Sequence, residues 1–342
     1  MPEAAPATDR PDARAPAAPR IAVVIPCYRV ADHVMRVLEG IGPQVHAIYV
    51  VDDACPEGSG ARVRAACADP RVRVLEHPDN QGVGGAVMTG YREAVADGAD
   101  VIVKIDGDGQ MDPALIPLFV APIVAGQADY TKGNRFYHPD GLRAMPAARL
   151  AGNALLSLVA KLSTGYWNLF DVTNGYTAVH ARVLRRLQLD KLSARYFFET
   201  DMLFRLNTIR AVVIDIPMDA VYAGEPSSLR IGRVAGEFAL KNLRNFGKRI
   251  AYNYFLRDMT VASLELVAGA LLLTFGAVYG GWNWWEHLGT GQPTATGTIM
   301  LSVLCMLVGL QMLLAFVAYD VASVPRRPIH PDLPDLPDGA RR

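Results

Sequence analysis

Cysteine is scarce in this sequence. Cys27, Cys55, Cys67 and Cys305 are the 4 in 342 residues. Their spacing gives neither the paired ligands of a zinc site nor a secreted disulfide framework, and Cys305 stands in an apolar run, so a reducing cytosol fits them best. Charge imbalance is absent too: 34 basic residues offset 34 acidic ones. That removes the global electrostatic footprint of a nucleic-acid binder and leaves recognition of charged ligands to local clusters. Residues 1–20 are almost entirely Ala, Pro, Asp and Arg and lack the apolar core of a signal peptide. They are expected to form a disordered tail, with the domain that follows in the cytoplasm. At the other end Pro325, Pro328, Pro331, Pro334 and Pro337 prevent helix. Residues 322–342 are therefore expected to be a second disordered, polar tail.

Hydrophobic residues, by contrast, are abundant. They make up 51% of the chain, with a mean hydropathy of +0.15, which is rich for a soluble enzyme and places part of the chain in lipid. Between the tails, short apolar runs alternate with helical patterns. Strands are expected at 21–25, 47–51, 72–75, 101–105 and 211–216, with helices near Val34, Leu38 and Ile41 and over 84–96. Nearly continuous apolar strands separated by helices imply an α/β domain with a mostly parallel sheet covered on both faces. Ligands bind such sheets at the carboxyl ends of the strands, where Tyr28, Asp52, Asp53, Asp106 and Asp108 fall.

Residues 260–281 and 297–319 are two apolar segments of about 22 residues, close to the length that crosses ~30 Å of hydrocarbon. A buried helix pair of a soluble protein is the alternative, but Trp282, Trp284, Trp285 and Tyr319 resemble an aromatic belt. Lys241, Arg244, Lys248, Arg249 and Arg257 precede the first segment and Arg326 and Arg327 follow the second, while the connecting loop has no Lys or Arg. The positive-inside rule therefore sets both ends in the cytoplasm. Just before the hairpin, Leu240, Leu243, Phe246, Ile250 and Tyr254 recur at helical spacing among basic residues. An amphipathic helix lying on the membrane is expected over 232–258, with an ordinary surface helix as the alternative.

The sharpest chemical signal is the run from Lys104 to Gln110, where two carboxylates, Asp106 and Asp108, follow a strand in a glycine-loosened turn. Hard cations such as Mg²⁺ or Mn²⁺ commonly join one or two carboxylates to substrate phosphates, neutralising a diphosphate as it leaves. Asp52 and Asp53 end an earlier strand, where a carboxylate can accept from a nucleobase N–H or a ribose hydroxyl. Gly82 and Gly84 then open a helix in Asn80-Gln81-Gly82-Val83-Gly84-Gly85-Ala86, permitting close backbone approach; a tight turn accounts equally for either segment alone. The dinucleotide fingerprint is missing its third glycine and its acidic partner.

This ordered set, over roughly 21–319, resembles the GT-A family 2 glycosyltransferases of the polyprenyl-phosphate type, which include dolichol-phosphate mannosyltransferase. The resemblance rests on Ile25-Pro26-Cys27-Tyr28, Val51-Asp52-Asp53, Asn80-x-Gly82-x-Gly84-x-Ala86 and Asp106-x-Asp108-x-Gln110. It implies a GT-A, Rossmann-like domain over 21–231, then the amphipathic helix and a transmembrane hairpin over 259–321. The implied reaction is inverting transfer of a hexose from a UDP- or GDP-linked donor to polyprenyl phosphate at the cytoplasmic membrane face.

Residue by residue, the resemblance gives Pro26, Tyr28, Asp52 and Asp53 to the nucleoside and sets Asp106 beside the nucleotide. Asp108 and Gln110 take the metal. Gly133-Asn134-Arg135 is similar to the family's G-S-R, and Arg135 and Arg149 would grip the acceptor phosphate. Asp171, in Phe170-Asp171-Val172-Thr173-Asn174-Gly175-Tyr176, would lie beside the donor sugar. Pro226-Ser227-Ser228-Leu229-Arg230 resembles a G-x-S-K loop with Arg230 in place of Lys. The sequence departs from the family at Asn134, Asn174 and Arg230. Guanidinium forks suit a phosphate held in line behind the anomeric carbon. Because a phosphate monoester is already anionic, a strong general base is less needed, and Asp171 is expected to orient or electrostatically support the sugar, with the role of base as the open alternative. Glu199 and Asp201 are the rival carboxylate pair, with a solvated helix start as the plainer reading.

Two other functions compete. A processive polysaccharide synthase shares the nucleotide-binding half, but its family is marked by Q-x-x-R-W, and no Arg-Trp occurs here. A non-catalytic membrane scaffold has no use for Asp106, Asp108 and Gln110 beside phosphate-type arginines. The sequence leaves sugar, nucleobase and homo-oligomerisation open.

Overall fold

The computed structural model describes residues 18–137, 147–219 and 231–334. Strands β1 (Ile21–Cys27), β2 (Val45–Asp52), β3 (Val72–Glu76), β4 (Val101–Lys104), β5 (Tyr130–Asn134), β6 (Thr177–His180) and β7 (Val213–Pro217) form one sheet in the order β3-β2-β1-β4-β6-β5-β7. β6 runs antiparallel to β4 and β5; β1 is parallel to β2 and β4, β2 to β3, and β5 to β7. β1 and β4 are buried throughout, which is why they read as unbroken apolar runs. β5 and β6 escaped that criterion because buried polar residues stand in them. Thr131 donates to the Phe119 carbonyl, Lys132 pairs with Asp215, and Asn134 donates to Asp215.

Helices α1 (Val34–Glu39), α2 (Ser59–Ala66), α3 (Val83–Ala96) and α4 (Ile116–Val124) follow the first strands. After them come α5 (Ala147–Thr164), α6 (Ala181–Arg186) and α7 (Phe198–Thr208). Val34, Val37 and Leu38 of α1, Val63 of α2 and Phe119 and Ile123 of α4 bury against one face of the sheet. Val87 and Tyr91 of α3, Leu184 of α6 and Met202 and Leu206 of α7 cover the other. Each such large apolar side chain contributes about 1.5–3 kcal/mol by leaving water. Since β6 is reversed, the loop entering it (165–176) lies on the same edge as the loops leaving the parallel strands.

Helix α8 (Ile231–Ala251) continues into a wider, π-type turn, Tyr252–Arg257. Its packed face is polar. Asn242 accepts from Ser163, Asn245 donates to Asp201, and Arg249 pairs with Asp320 at 2.6 Å. Leu240 and Leu243 stay 68% and 66% exposed. Arg249, expected among the surface basic residues, is instead buried, because Asp320 and the Leu162 carbonyl saturate it.

The hairpin is α9 (Val261–Thr290) and α10 (Thr296–Ala322), both long and apolar enough to cross a membrane, with mean hydropathies of 2.0 and 2.4. The expected connection of 282–296 is shorter, since α9 runs on past the tryptophans and is capped by Gly291 at φ 65°. The two helices approach closely through small residues. A Cβ on Gly269 would sit 3.0 Å from the Gly309 carbonyl oxygen, and Ser302 donates to the Gly276 carbonyl. Their large side chains, such as Leu271, Val278, Leu304 and Leu314, point away from the protein, which is unlike a soluble core pair.

Disorder from 322 onward does not describe residues 323–334. Ile329 and His330 donate backbone N–H groups to buried Asp129, His330 stacks on His180 with ring centroids 4.3 Å apart, and Leu333 packs on the core. The prolines exclude a longer α-helix there and leave a single 3₁₀ turn, His330–Asp332, with Ile329, His330 and Leu333 free to bond and pack.

Candidate functional site

Asp52 and Asp53 end β2 at the carboxyl edge, as expected, but their oxygens are already engaged. Asp52 accepts from the Cys55 N–H at 2.7 Å and the Gly60 N–H at 2.5 Å. Asp53 accepts from the Gln81 N–H at 2.8 Å and the Gly82 N–H at 2.7 Å, and bonds His77 at 2.8 Å. Both carboxylates therefore hold loops in shape. The expected close backbone approach at Gly84 is made to the chain itself: a Cβ there would meet the Ser193 carbonyl oxygen at 2.3 Å. Pro26 is part of β1 beside Val51. Tyr28, in contrast, is exposed just beyond β1, with the Arg29 guanidinium 5.5 Å from its ring centre.

Asp106 follows β4 and remains partly open to solvent. Lys104, 1% exposed, reaches both Asp106 at 2.9 Å and Glu199 at 3.2 Å. Burial opposes the charge on Lys104, but these two carboxylates hold it protonated, with its pKa raised. For Glu199, burial and Asp106 push the pKa up against the pull of Lys104. The solvated helix start does not apply to Glu199. It and Asp201 point apart, and Asp201 binds the Ser193 N–H and Asn245. A carboxylate two positions past a lysine that ends an apolar strand is the one local signal for this cluster.

Asp106 Oδ1 is buried without an aligned donor, although the Lys104 ammonium is close. Gly175 leaves the opposite side clear, since a Cβ there would lie 2.7 Å from Asp106 Oδ2. Asp108 turns back to accept from the Gln110 N–H at 3.0 Å. No group of three His, Cys, Asp or Glu side chains gathers among the described residues. Two carboxylates and the Gln110 amide are hard oxygen donors that suit a Mg²⁺- or Mn²⁺-like ion sharing its shell with a diphosphate.

Asp171 and Arg135 meet as a fork: Arg135 Nε donates to Asp171 Oδ2 at 2.8 Å and Nη2 to Oδ1 at 2.7 Å. Asp171 also accepts from the Arg135 N–H and from Asn174 Nδ2. It holds a left-handed backbone, φ 48°, a strained conformation of the kind found at functional sites. Burial would raise its pKa, but the Arg135 guanidinium and Lys132 hold it below the usual carboxylate range. Asn134 and Asn174, two of the three departures from the family pattern, are both structural. Asn134 ties β5 to Asp215, and Asn174 joins Asp171 to the Tyr176 N–H. Arg149 lies in the first turn of α5; its side chain is outside the described residues, as is all of Arg230.

Residues 22–188 match the glycosyl transferase family 2 model. The chain is 32% identical over 233 residues to an undecaprenyl-phosphate mannosyltransferase of Micrococcus luteus, covering 67% of this chain and 94% of that protein. It is 30% identical to a polyprenol monophosphomannose synthase of Mycolicibacterium smegmatis, covering 62% and 79%. Among solved structures, a glucosyl-3-phosphoglycerate synthase from Mycobacterium tuberculosis, crystallised with Mn²⁺ and UDP, superposes with a TM-score of 0.50. That match has 18% identity and covers 68% of this chain and 80% of the other. The sheet with its one reversed strand, the Asp106 turn and the relatives at 30% identity or above agree: this chain belongs to glycosyltransferase family 2.

Proposed function

We propose that the protein moves a hexose from a nucleotide-sugar to polyprenyl phosphate at the cytoplasmic face of a membrane. The observation that carries this reading is a single sheet edge on which Asp106 stands after β4 and the Asp171–Arg135 fork stands after β5. That edge offers carboxylate oxygens after β4 and, after β5, a guanidinium fixed by Asp171. The named activities of the Micrococcus and Mycolicibacterium relatives point the same way. Tyr28 stacks the nucleobase, while Asp52, Asp53, Gly82 and Gly84 shape the loops around it.

Asp106, Asp108 and Gln110 would hold a divalent cation, which supplies charge neutralisation to the departing nucleoside diphosphate. Lys104 fixes the Asp106 carboxylate beside it. Arg135, with Arg149 and Arg230 in support, holds the acceptor phosphate in line behind the anomeric carbon. Asp171 sets the plane of the Arg135 guanidinium and takes no proton, because its carboxylate is saturated with donors and hard to protonate. The acceptor arrives as an anion and asks for no strong base. Inversion follows from a single in-line displacement. The hairpin spans the bilayer with both ends of the chain on the cytoplasmic side, as the Lys and Arg asymmetry requires.

Membranes containing the protein, supplied with undecaprenyl phosphate and a panel of UDP- and GDP-sugars, should form a lipid-linked sugar. Absence of product with every donor, from protein that is folded and membrane-inserted, would overturn the reading.

A further inference from the structure

A cleft of about 320 Å³ opens where the catalytic domain, the π-type turn and the hairpin meet, within the size range of ligand pockets. Arg210, Asn253, Tyr254, Arg257, Tyr319 and Ser323 stand in its wall. Arg210 Nη1 donates to the Ser323 carbonyl at 2.8 Å. Arg257 donates through Nε to Asp258 at 2.8 Å and through Nη1 to the Thr208 carbonyl at 3.1 Å. Neither Nη2 group has an acceptor among the described residues. Asp258 is the one carboxylate of the lining, against two guanidiniums. Nearby Asp320 is committed to Arg249. The cleft therefore carries net positive charge and unspent N–H groups.

Asn253 gives an independent sign of a missing partner. It is 8% exposed, its Nδ2 donates to Asn207 Oδ1 at 2.9 Å, and its Oδ1 is buried with no donor. Rotating the two amides together exchanges their roles and still leaves one Asn253 amide group unpaired. A buried polar group without a partner is costly, and a ligand or ordered water relieves it. π-type turns of this kind are frequently found at functional sites.

Position identifies the ligand, resting on the membrane reading above. Arg257 and Asp258 immediately precede α9, and Tyr319 and Ser323 close α10. The cleft thus lies where both helices leave the hydrocarbon, in the layer of lipid headgroups. Bilayer anions there are phosphate esters, which guanidinium groups bind through paired N–H donors. We propose that this cleft binds the phosphate of an anionic glycerophospholipid, whose acyl chains lie along the hairpin and whose headgroup meets Asn253. The reacting polyprenyl phosphate belongs elsewhere. Arg210 precedes β7, whereas the far end of β7, Pro217, pairs with Asn134 beside Arg135, roughly 13 Å along the strand at ~3.3 Å per residue.

Native mass spectrometry of the full chain in mild detergent, titrated separately with phosphatidylglycerol, phosphatidylcholine, undecaprenyl phosphate and inorganic phosphate, tests this. Phosphatidylglycerol should be retained and phosphatidylcholine lost. Arg210→Gln with Arg257→Gln should weaken retention by about tenfold or more. Asp258→Asn, which removes the opposing carboxylate, should strengthen it; this variant decides the matter if the arginine variant fails to fold. Equal retention of both phospholipids, or variants that bind like the parent, would overturn the proposal. So would displacement of phosphatidylglycerol by equimolar undecaprenyl phosphate or by millimolar inorganic phosphate. Carbonate extraction of membranes tests the bilayer reading separately.

Discussion

Replacing Asp171 with Asn isolates what the Asp171–Arg135 fork does. Asparagine tolerates the left-handed backbone at this position nearly as well as aspartate, so the loop keeps its shape. What disappears is the negative charge and one of the two side-chain bonds to Arg135, at 2.8 and 2.7 Å. A hydrogen bond to a charged group is worth about 1.5–3 kcal/mol, and at ~1.4 kcal/mol per tenfold the acceptor kcat/KM should fall roughly ten- to a hundredfold. The lower end is favoured because the Arg135 side chain is 32% exposed and water takes over part of the interaction. If Asp171 acts only through Arg135, then Arg135→Ala and the double variant should lose about as much as the worse single variant. The cycle should then close with a coupling energy of about 1.5–3 kcal/mol. Initial rates with varied undecaprenyl phosphate, beside calorimetric titration of the nucleotide-sugar, measure both halves. Losses that multiply, or an acid limb near neutral pH that vanishes in Asp171→Asn, would show Asp171 working on the sugar directly. A collapse of donor affinity in Arg135→Ala would place the guanidinium in the diphosphate site.

Three other outcomes are expected. EDTA should abolish turnover, Mg²⁺ or Mn²⁺ should restore it, and Asp108→Ala should leave folding intact while preventing that recovery; activity that survives both changes rules out metal dependence. A cysteine placed at residue 290 should react with an impermeant reagent in intact cells, and labelling only after permeabilisation would reverse the topology. His180 is pushed down to about 4 by burial, with His330 and Arg182 adding to the effect, and its Nδ1 caps α6 by accepting the Arg182 N–H. The unfolded imidazole takes up a proton first as pH falls, so stability holds above about pH 6.5 and erodes between there and about 4, by roughly 2 kcal/mol after allowing for partial exposure. His180→Asn, which keeps a capping oxygen, should flatten that part of the melting-temperature profile; an unchanged slope would remove His180 as its source.

Much of the fold was legible because β1, β2 and β4 bury both faces and so appear as apolar runs with acidic residues just past their ends. The antiparallel insertion was not. Thr177-Ala178-Val179-His180 is four residues long, and the β5 run Tyr130-Thr131-Lys132-Gly133-Asn134 holds a lysine whose charge only a tertiary partner, Asp215, makes tolerable in the interior. Such compensation spans 83 residues and leaves no local periodicity. The site shows the same division. Asp106 and Asp108 were recognisable as carboxylates past a strand end, and Asp171 through the family resemblance, but spacing could not show that Asp52 and Asp53 accept backbone N–H groups. Nor could it show that Glu199, far along the chain, returns to Lys104.

Helix α8 inverts the usual arrangement of a helix packed on a soluble domain. A helix that packs on a soluble domain usually turns its apolar stripe inward. Here the inward face is Asn242, Asn245 and Arg249, each bonded to the catalytic domain or to the end of α10, while Leu240 and Leu243 face out. Leucines left in water would gain nothing from that arrangement, and burying asparagines costs free energy unless every one is bonded. Both terms become favourable if the outer face meets lipid and the polar face provides directional bonds that fix the helix to the domain. A 21-residue helix rises about 31 Å, and its bonds tie Asp320 at the end of the hairpin to Ser163 and Asp201 of the catalytic domain. The bonds to Ser163, Asp201 and Asp320 then fix one orientation of the catalytic domain relative to the hairpin.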